Sequence, residues 1–358
     1  MSWDNVSDIK NIKIWTDYND STQGHLFVND NHQLKLNVGI SFTLNSGTTE
    51  GPTEDEVKSA LSLINNQDSG PLKYLSVVEE GIYTAVYDPY HVSTGPSDDT
   101  SNTGDGVYDF IFTYYVTSPF SINAETHAES VALKLVYPYT DAKGDTTEVV
   151  KETSAKGNYY TKTYVSVSCY PSMLYGPSNQ NRIALKVTYL KVDSSDIVHL
   201  NSGNYTHEDD AFRRYWLYID HSYFNIFSFD GSQEPNPDVS VDDDLRPFST
   251  LIDESGGGVM WNYLYNAYYP AIKCGKITYP VKIKIMAASN MPVYDAQITI
   301  HQDVNQISFI TADTDVEHLH DEQSGKTPFS IRIYDQFGNS AVTYINANGN
   351  ELRLDSVS

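Results

Sequence analysis

Cysteine is nearly missing from this chain. Cys169 and Cys274 are the only two, so the multi-disulfide framework that small secreted domains use in place of a large core is excluded. One bridge between them stays open, with two buried free thiols as the expected state. Basic residues are also scarce: 23 Lys and Arg stand against 47 Asp and Glu, a net charge of −24. That field repels a phosphate backbone, which argues against nucleic acid as a partner, and it disfavours an anionic membrane surface for the same reason.

Long apolar runs are missing too. No stretch approaches the ~18 consecutive apolar residues of a membrane-spanning helix, so no transmembrane segment is expected. The start, Met1-Ser-Trp-Asp-Asn5, lacks the basic residues and apolar run of a signal peptide. The expectation is synthesis in a cytoplasm, with export by a non-classical route left open. Asn204-Tyr-Thr206 fits a glycosylation sequon but has no secretory signal to give it weight.

Catalytic signatures are equally sparse. Gly256-Gly-Gly258 lacks dinucleotide-loop spacing and has no following Lys-Ser/Thr, so it reads as a flexible loop. There is no Gly-x-Ser-x-Gly elbow, and neither cysteine sits in a nucleophile context. With 47 acids, some carboxylate pair falls at glycosidase spacing by chance, so sequence selects none. The chain is expected not to be an enzyme.

What is present is strand. There are 28 tyrosines against 13 Phe and 4 Trp, and Tyr suits a pleated surface with its ring packed and its hydroxyl reaching water. From Leu34 to Leu44 every even position is apolar and every odd one polar or Gly, the period of a half-buried strand. Tyr108, Phe110, Phe112, Tyr114 and Val116 share a face. So do Val131, Leu133, Leu135 and Tyr137; Val165, Val167 and Cys169; Ile183, Leu185, Val187 and Tyr189; and Tyr279, Val281, Ile283 and Ile285. Phe329, Ile331 and Ile333, then Leu352 and Leu354, close the series. Turn clusters separate the runs: Asn45-Ser-Gly47, Asp141-Ala-Lys-Gly144, Lys156-Gly-Asn158, Gln336-Phe-Gly-Asn339 and Asn346-Ala-Asn-Gly349. One wet face per strand implies antiparallel β-sandwiches. The fold class is therefore all-β: two antiparallel sandwich domains, immunoglobulin-like in style, or three if the second half divides.

Thr53-Glu-Asp-Glu56 reads as a capping box opening a short helix over 53–65, with Val57, Ala60, Leu61 and Ile64 on one face. A helical turn at 208–215 competes with a strand reading through Ile219. The first domain is placed at 1–152 and the second at 153–358. A division of the second near 230–258 is suggested by Glu234-Pro-Asn-Pro-Asp238 and the acidic run Asp242-Asp-Asp244. The run Phe329–Leu354 loosely resembles a bacterial immunoglobulin-like module in its order of strand, Asp335-Gln-Phe-Gly-Asn339 turn, strand, Asn-Gly turn and strand. Any antiparallel sandwich shares those motifs.

Four segments carry candidate chemistry. Asp313–Glu322 is the densest group of ligand-type residues; in an extended chain His318 and His320 point one way, with Asp321 as a third metal ligand. The alternative is a polar loop. Residues 98–106 supply oxygens of the kind Ca²⁺ takes but miss the order of a Ca²⁺-binding loop. The aromatic segments 215–224 and 259–269 interleave rings with Asn and Asp, which suits a sugar or protein partner. From them Trp216, Trp261, Tyr263, Tyr265 and Tyr268 are the candidate ligand-binding residues, against the alternative that they fill a core. The leading expectation is a non-catalytic recognition or structural protein, adhesin-like or appendage-associated, with a glycan or protein partner and no required cofactor. The second is a pore-forming or other host- or insect-directed toxin in which 146–168 becomes a membrane hairpin; the plain alternative for that segment is an ordinary exposed hairpin. The third is a hydrolase with an unrecognised site.

Overall fold

The computed structural model describes residues 2–18, 22–89, 108–119, 126–140, 143–176, 182–191, 197–199, 212–231, 245–252, 259–265, 275–284, 293–302, 305–313, 315–317, 329–348 and 351–357. These residues are mostly strand, with one α-helix, so the all-β class holds. The chain forms two compact units, 1–172 and 173–358, a boundary some way beyond 152.

In the first unit the strands are β1 (Val6–Thr16), β2 (Gln23–Val28), β3 (Leu34–Leu44), β4 (Leu61–Asn65) and β5 (Ser76–Val78). They continue with β6 (Phe110–Thr117), β7 (His127–Thr140), β8 (Thr146–Glu152) and β9 (Tyr164–Pro171), and helix α1 (Glu54–Ala60) precedes β4. One sheet runs β1-β3-β6-β5 and the other β2-β9-β7-β4, with β8 also on β7. Both sheets contribute to one core: Leu36, Val38, Ile40 and Phe112 from the first, Leu26, Val131, Leu133, Val165 and Val167 from the second. Because β9 pairs with both β2 and β7, it belongs with this unit, which explains the later boundary.

The core-facing residues of β1 change parity along the strand. Ile9, Ile12 and Ile14 are all buried, although 9 differs in parity from 12 and 14. A bulge between Ile9 and Asn11 supplies the extra residue that keeps the core face inward. The outer edge of β1 is closed by side chains rather than by a strand. Tyr159 and Tyr160 donate their hydroxyls to the Ile9 and Lys10 carbonyls, and the Ile14 N–H donates to Thr163 Oγ1. These bonds leave less of the strand's hydrogen-bonding edge open to another chain.

Four sequence expectations differ from the structure here. The sheets are not purely antiparallel: β2 pairs parallel with β9, since most of the unit's chain lies between them and allows the crossover a parallel pair needs. The helix ends at Ala60, and 61–65 is strand; the capping box is present, but the periodicity of Leu61 and Ile64 also fits a strand, and pairing with β7 decides it. Residues 146–168 do not form a hairpin: β8 and β9 each pair with β7, and Val165 and Val167 are fully buried in the core. Finally, the middle of the outer face of β3 is covered, while Lys35 and Thr43 at its ends reach solvent. Asn37 and Ser41 are buried, and Tyr108, which lies just before β6, sits over Gly39 and stacks on Trp15 at 5.6 Å. That places Tyr108 on the side opposite the core-facing Phe112.

Gly39 is the position that permits this cover. A Cβ there would lie 2.7 Å from the Tyr108 ring. Gly39→Ala should therefore displace the ring and lower stability by roughly 1–3 kcal/mol, the usual cost of overpacking, readable as a drop in urea midpoint with unchanged slope.

The second unit begins with β10 (Tyr175–Gly176), β11 (Ile183–Lys191), β12 (Ile197–His199), β13 (Phe212–Ile219) and β14 (Ile226–Gly231). Next come β15 (Leu245–Ile252), β16 (Val259–Tyr265), β17 (Gly275–Lys284), β18 (Val293–Gln302) and β19 (Gln306–Asp313). The last are β20 (Asp315–Glu317), β21 (Phe329–Asp335), β22 (Ser340–Asn348) and β23 (Glu351–Val357). Its sheets run β10-β11-β13-β19-β16-β15, β12-β18-β17-β20 and β14-β21-β22-β23. Residues 212–219 are strand, which removes the helical reading of that end of 208–215. Of the strands flanking residues 232–244, β14 belongs to the β14-β21-β22-β23 sheet and β15 to the six-stranded sheet, which also takes β11 and β13 from before the segment and β16 and β19 from after it. A second parallel pair, β10 with β11, lies at its edge.

Candidate functional site

The six-stranded sheet draws the two aromatic segments together. Along β13, Tyr215, Leu217 and Ile219 are buried and alternate with the half-buried Arg214, Trp216 and Tyr218. Period-2 geometry puts these two sets on opposite faces. The neighbour β19 pairs Ser308 with Trp216 and Ile310 with Arg214. On its other side β19 pairs Ile310 with Tyr263 and Ala312 with Trp261. Directly paired residues share a face, so the register places positions Trp261, Tyr263 and, two residues on, Tyr265 on the face that carries Trp216. Four of the five candidate ligand-binding residues thus share one sheet face. Tyr268 lies outside the described residues.

The described side chains give this face its chemistry. The Arg214 guanidinium carbon stands 5.6 Å from the Trp216 ring centroid, within cation–π range. Trp216 Nε1 is buried without a hydrogen-bond partner. Beside it, Thr188 Oγ1 donates to the Tyr218 hydroxyl at 3.2 Å, and both Thr188 and Lys186 are exposed. Ser308, opposite Trp216, is a small, fully buried residue.

The other candidates divide as follows. His318, His320 and Asp321 lie outside the described residues, as do residues 98–106 and Cys274. Among the described residues, no three His, Cys, Asp or Glu converge as metal ligands, and no helix is long and apolar enough to cross a membrane. Cys169 is free and 0 % exposed, and burial pushes its thiol up to about 12. A thiol so protonated is a poor nucleophile. Folded protein at pH 8 should leave Cys169 unlabelled by a thiol reagent, and denaturant should release it; fast labelling of Cys169 in the native state, located by peptide mapping, would contradict the burial.

Sequence reasoning missed a concave site in the first unit. A cavity of about 310 Å³ is walled by His25, His32, Lys35, Glu80, Tyr87 and Tyr115 among others. Its residues come from the end of β1, from β2, β3 and β6, and from the 80–87 segment. No short motif marks it; Asp17-Tyr18 and Tyr87-Asp88 are ordinary dipeptides. No protein-family model matches the chain, and no curated protein matches it in sequence.

Proposed function

We propose that this is a non-catalytic recognition protein that binds an extended glycan across the aromatic face of the β11-β13-β19-β16 sheet. The observation that carries the reading is the register that brings Trp216, Trp261, Tyr263 and Tyr265 to one face from two separate segments. Rings offer apolar surfaces to the C–H faces of sugars, while directed polar groups meet the hydroxyls. Thr188, Tyr218, Gln306 and Arg214 supply such groups on the same face. Tyr and Trp do this at low entropic cost, having only two side-chain torsions each. The negative net charge favours neutral or cationic polysaccharides over sulfated ones.

Electrophoresis of the full chain through native gels containing soluble neutral polysaccharides tests this. Retardation in at least one gel, reversed by free oligosaccharide, is the expected result. Unchanged migration through all of them, or retention only by a protein matrix, would overturn the glycan reading.

A further inference from the structure

The first-unit cavity has a composition of its own. Aromatic groups line much of it. Tyr18 lies edge-on to His25 at 4.9 Å, and Tyr87 packs on Phe27 at 4.3 Å and on Tyr170 at 5.6 Å. His32 is a fixed, neutral wall. The Phe27 N–H donates to its Nδ1, its Nε2 faces the Ala85 carbonyl, and burial pushes it down to about 4.

Charge in the cavity is one-sided. Among the described residues, Lys35 is the only basic lining residue other than the histidines, and it is held by Asp17 at 2.9 Å. Against it stand Asp17, Glu80 and, bonded to the lining Tyr18 hydroxyl at 3.1 Å, Asp88. Glu80 accepts one hydrogen bond from Tyr115 at 2.6 Å. An ionised carboxylate has room for about four.

One group here is incomplete. His25 is 5 % exposed, and its Nδ1 lies 3.3 Å from the Tyr170 hydroxyl. Its Nε2 is buried and has no partner, a cost that buried polar groups rarely carry without reason. Burial holds His25 below the ordinary histidine range, with Asp88 pulling it partly back. It is therefore neutral near pH 7. The contact with Tyr170 fits either tautomer; the one that carries its proton on Nδ1 leaves Nε2 as a hydrogen-bond acceptor.

We propose that this cavity binds a small organic cation, an ammonium-bearing molecule. The aromatic walls stabilise the cation through their ring faces, Glu80 and Asp88 supply opposite charge, and His25 Nε2, in the tautomer protonated on Nδ1, accepts an N–H. The volume fits a ligand of modest size, at the low end of small-molecule pockets. This site lies in a different unit from the aromatic sheet face and does not depend on it.

The test is calorimetric titration of the full chain with butylamine, choline and glucosamine, alongside their neutral counterparts butanol and glucose. Saturable binding of at least one cation, about tenfold or more tighter than its neutral counterpart, is expected. Glu80→Gln, at an exposed position, should cut that affinity about tenfold while leaving the thermal midpoint unchanged. His25→Leu should weaken butylamine more than choline, because choline's quaternary nitrogen has no N–H to give. Trp216→Ala should leave cation binding intact. Equal binding of glucose and glucosamine, saturation by Ca²⁺ in place of the amines, no saturation by any of the three cations, or full affinity in Glu80→Gln would each overturn the proposal.

Discussion

Asp335→Ala should lower the stability of the second unit by about 3–5 kcal/mol, as expected when a buried charged group's partners are stranded. Asp335 is 1 % exposed. Its Oδ1 accepts the Phe337 and Asn339 backbone N–H groups at 2.8 and 2.9 Å. Its Oδ2 accepts Asn339 Nδ2 at 2.8 Å and the buried Tyr175 hydroxyl. This one carboxyl thus closes the 335–339 turn, in which Gly338 takes φ +73°, and ties it to β10. Removing it takes the carboxylate away from four buried donors at once. Urea unfolding gives the magnitude, and a loss under about 1 kcal/mol would contradict the role.

The same residue makes stability depend on pH. Burial pushes Asp335 up to about 6, against the opposing effect of its hydrogen bonds. Between an unfolded value near 3.8 and about 6, the folded state holds a proton that the unfolded state has lost. The Asp335 contribution is therefore full below the unfolded value and falls as pH rises through the folded one, by about 3 kcal/mol in all. Asp335→Asn removes the titration, so the difference between wild type and variant should narrow in that window and stay flat above it.

Glu129→Ala carries the second large effect, about 2–4 kcal/mol. Glu129 is buried on β7 and accepts Asn65 Nδ2 at 2.7 Å and the Lys73 and Tyr74 backbone N–H groups at 2.8 Å each. It anchors the 66–75 loop to the sheet in the way a strand partner otherwise would. Hydrogen exchange should show the Lys73 and Tyr74 amides losing protection first. Retained protection at both, with an unchanged urea midpoint, would show that the loop holds by other means.

Both hubs mark where sequence reading stops. The alternation at Leu34–Leu44, Val131–Tyr137 and Val165–Cys169 was legible because period 2 is local, and the structure places each run in a strand. The capping box at Thr53 was legible for the same reason, while the helix end was not: Leu61 and Ile64 satisfy two periods, and only the partner β7 separates them. The cover on the outer face of β3 depends on Trp15 and Tyr108, and the Asp335 hub on Tyr175, each distant in sequence. The aromatic candidates were visible as composition, but only the β13-β19-β16 register reveals that Trp216 and Tyr263 share a face. The first-unit cavity had no local signal, because five separate segments each contribute only one or a few side chains to it.

The central claim is that the aromatic sheet face binds and does not merely pack, and Trp216→Ala tests it most directly. A glycan that retards the wild type would be titrated calorimetrically into both proteins, with urea unfolding measured in parallel. The account predicts weakening of at least ~2 kcal/mol, about thirtyfold, with stability within about 1 kcal/mol of wild type. Unchanged affinity, or a fall in stability of ~3–5 kcal/mol of the kind a core tryptophan gives, would contradict it.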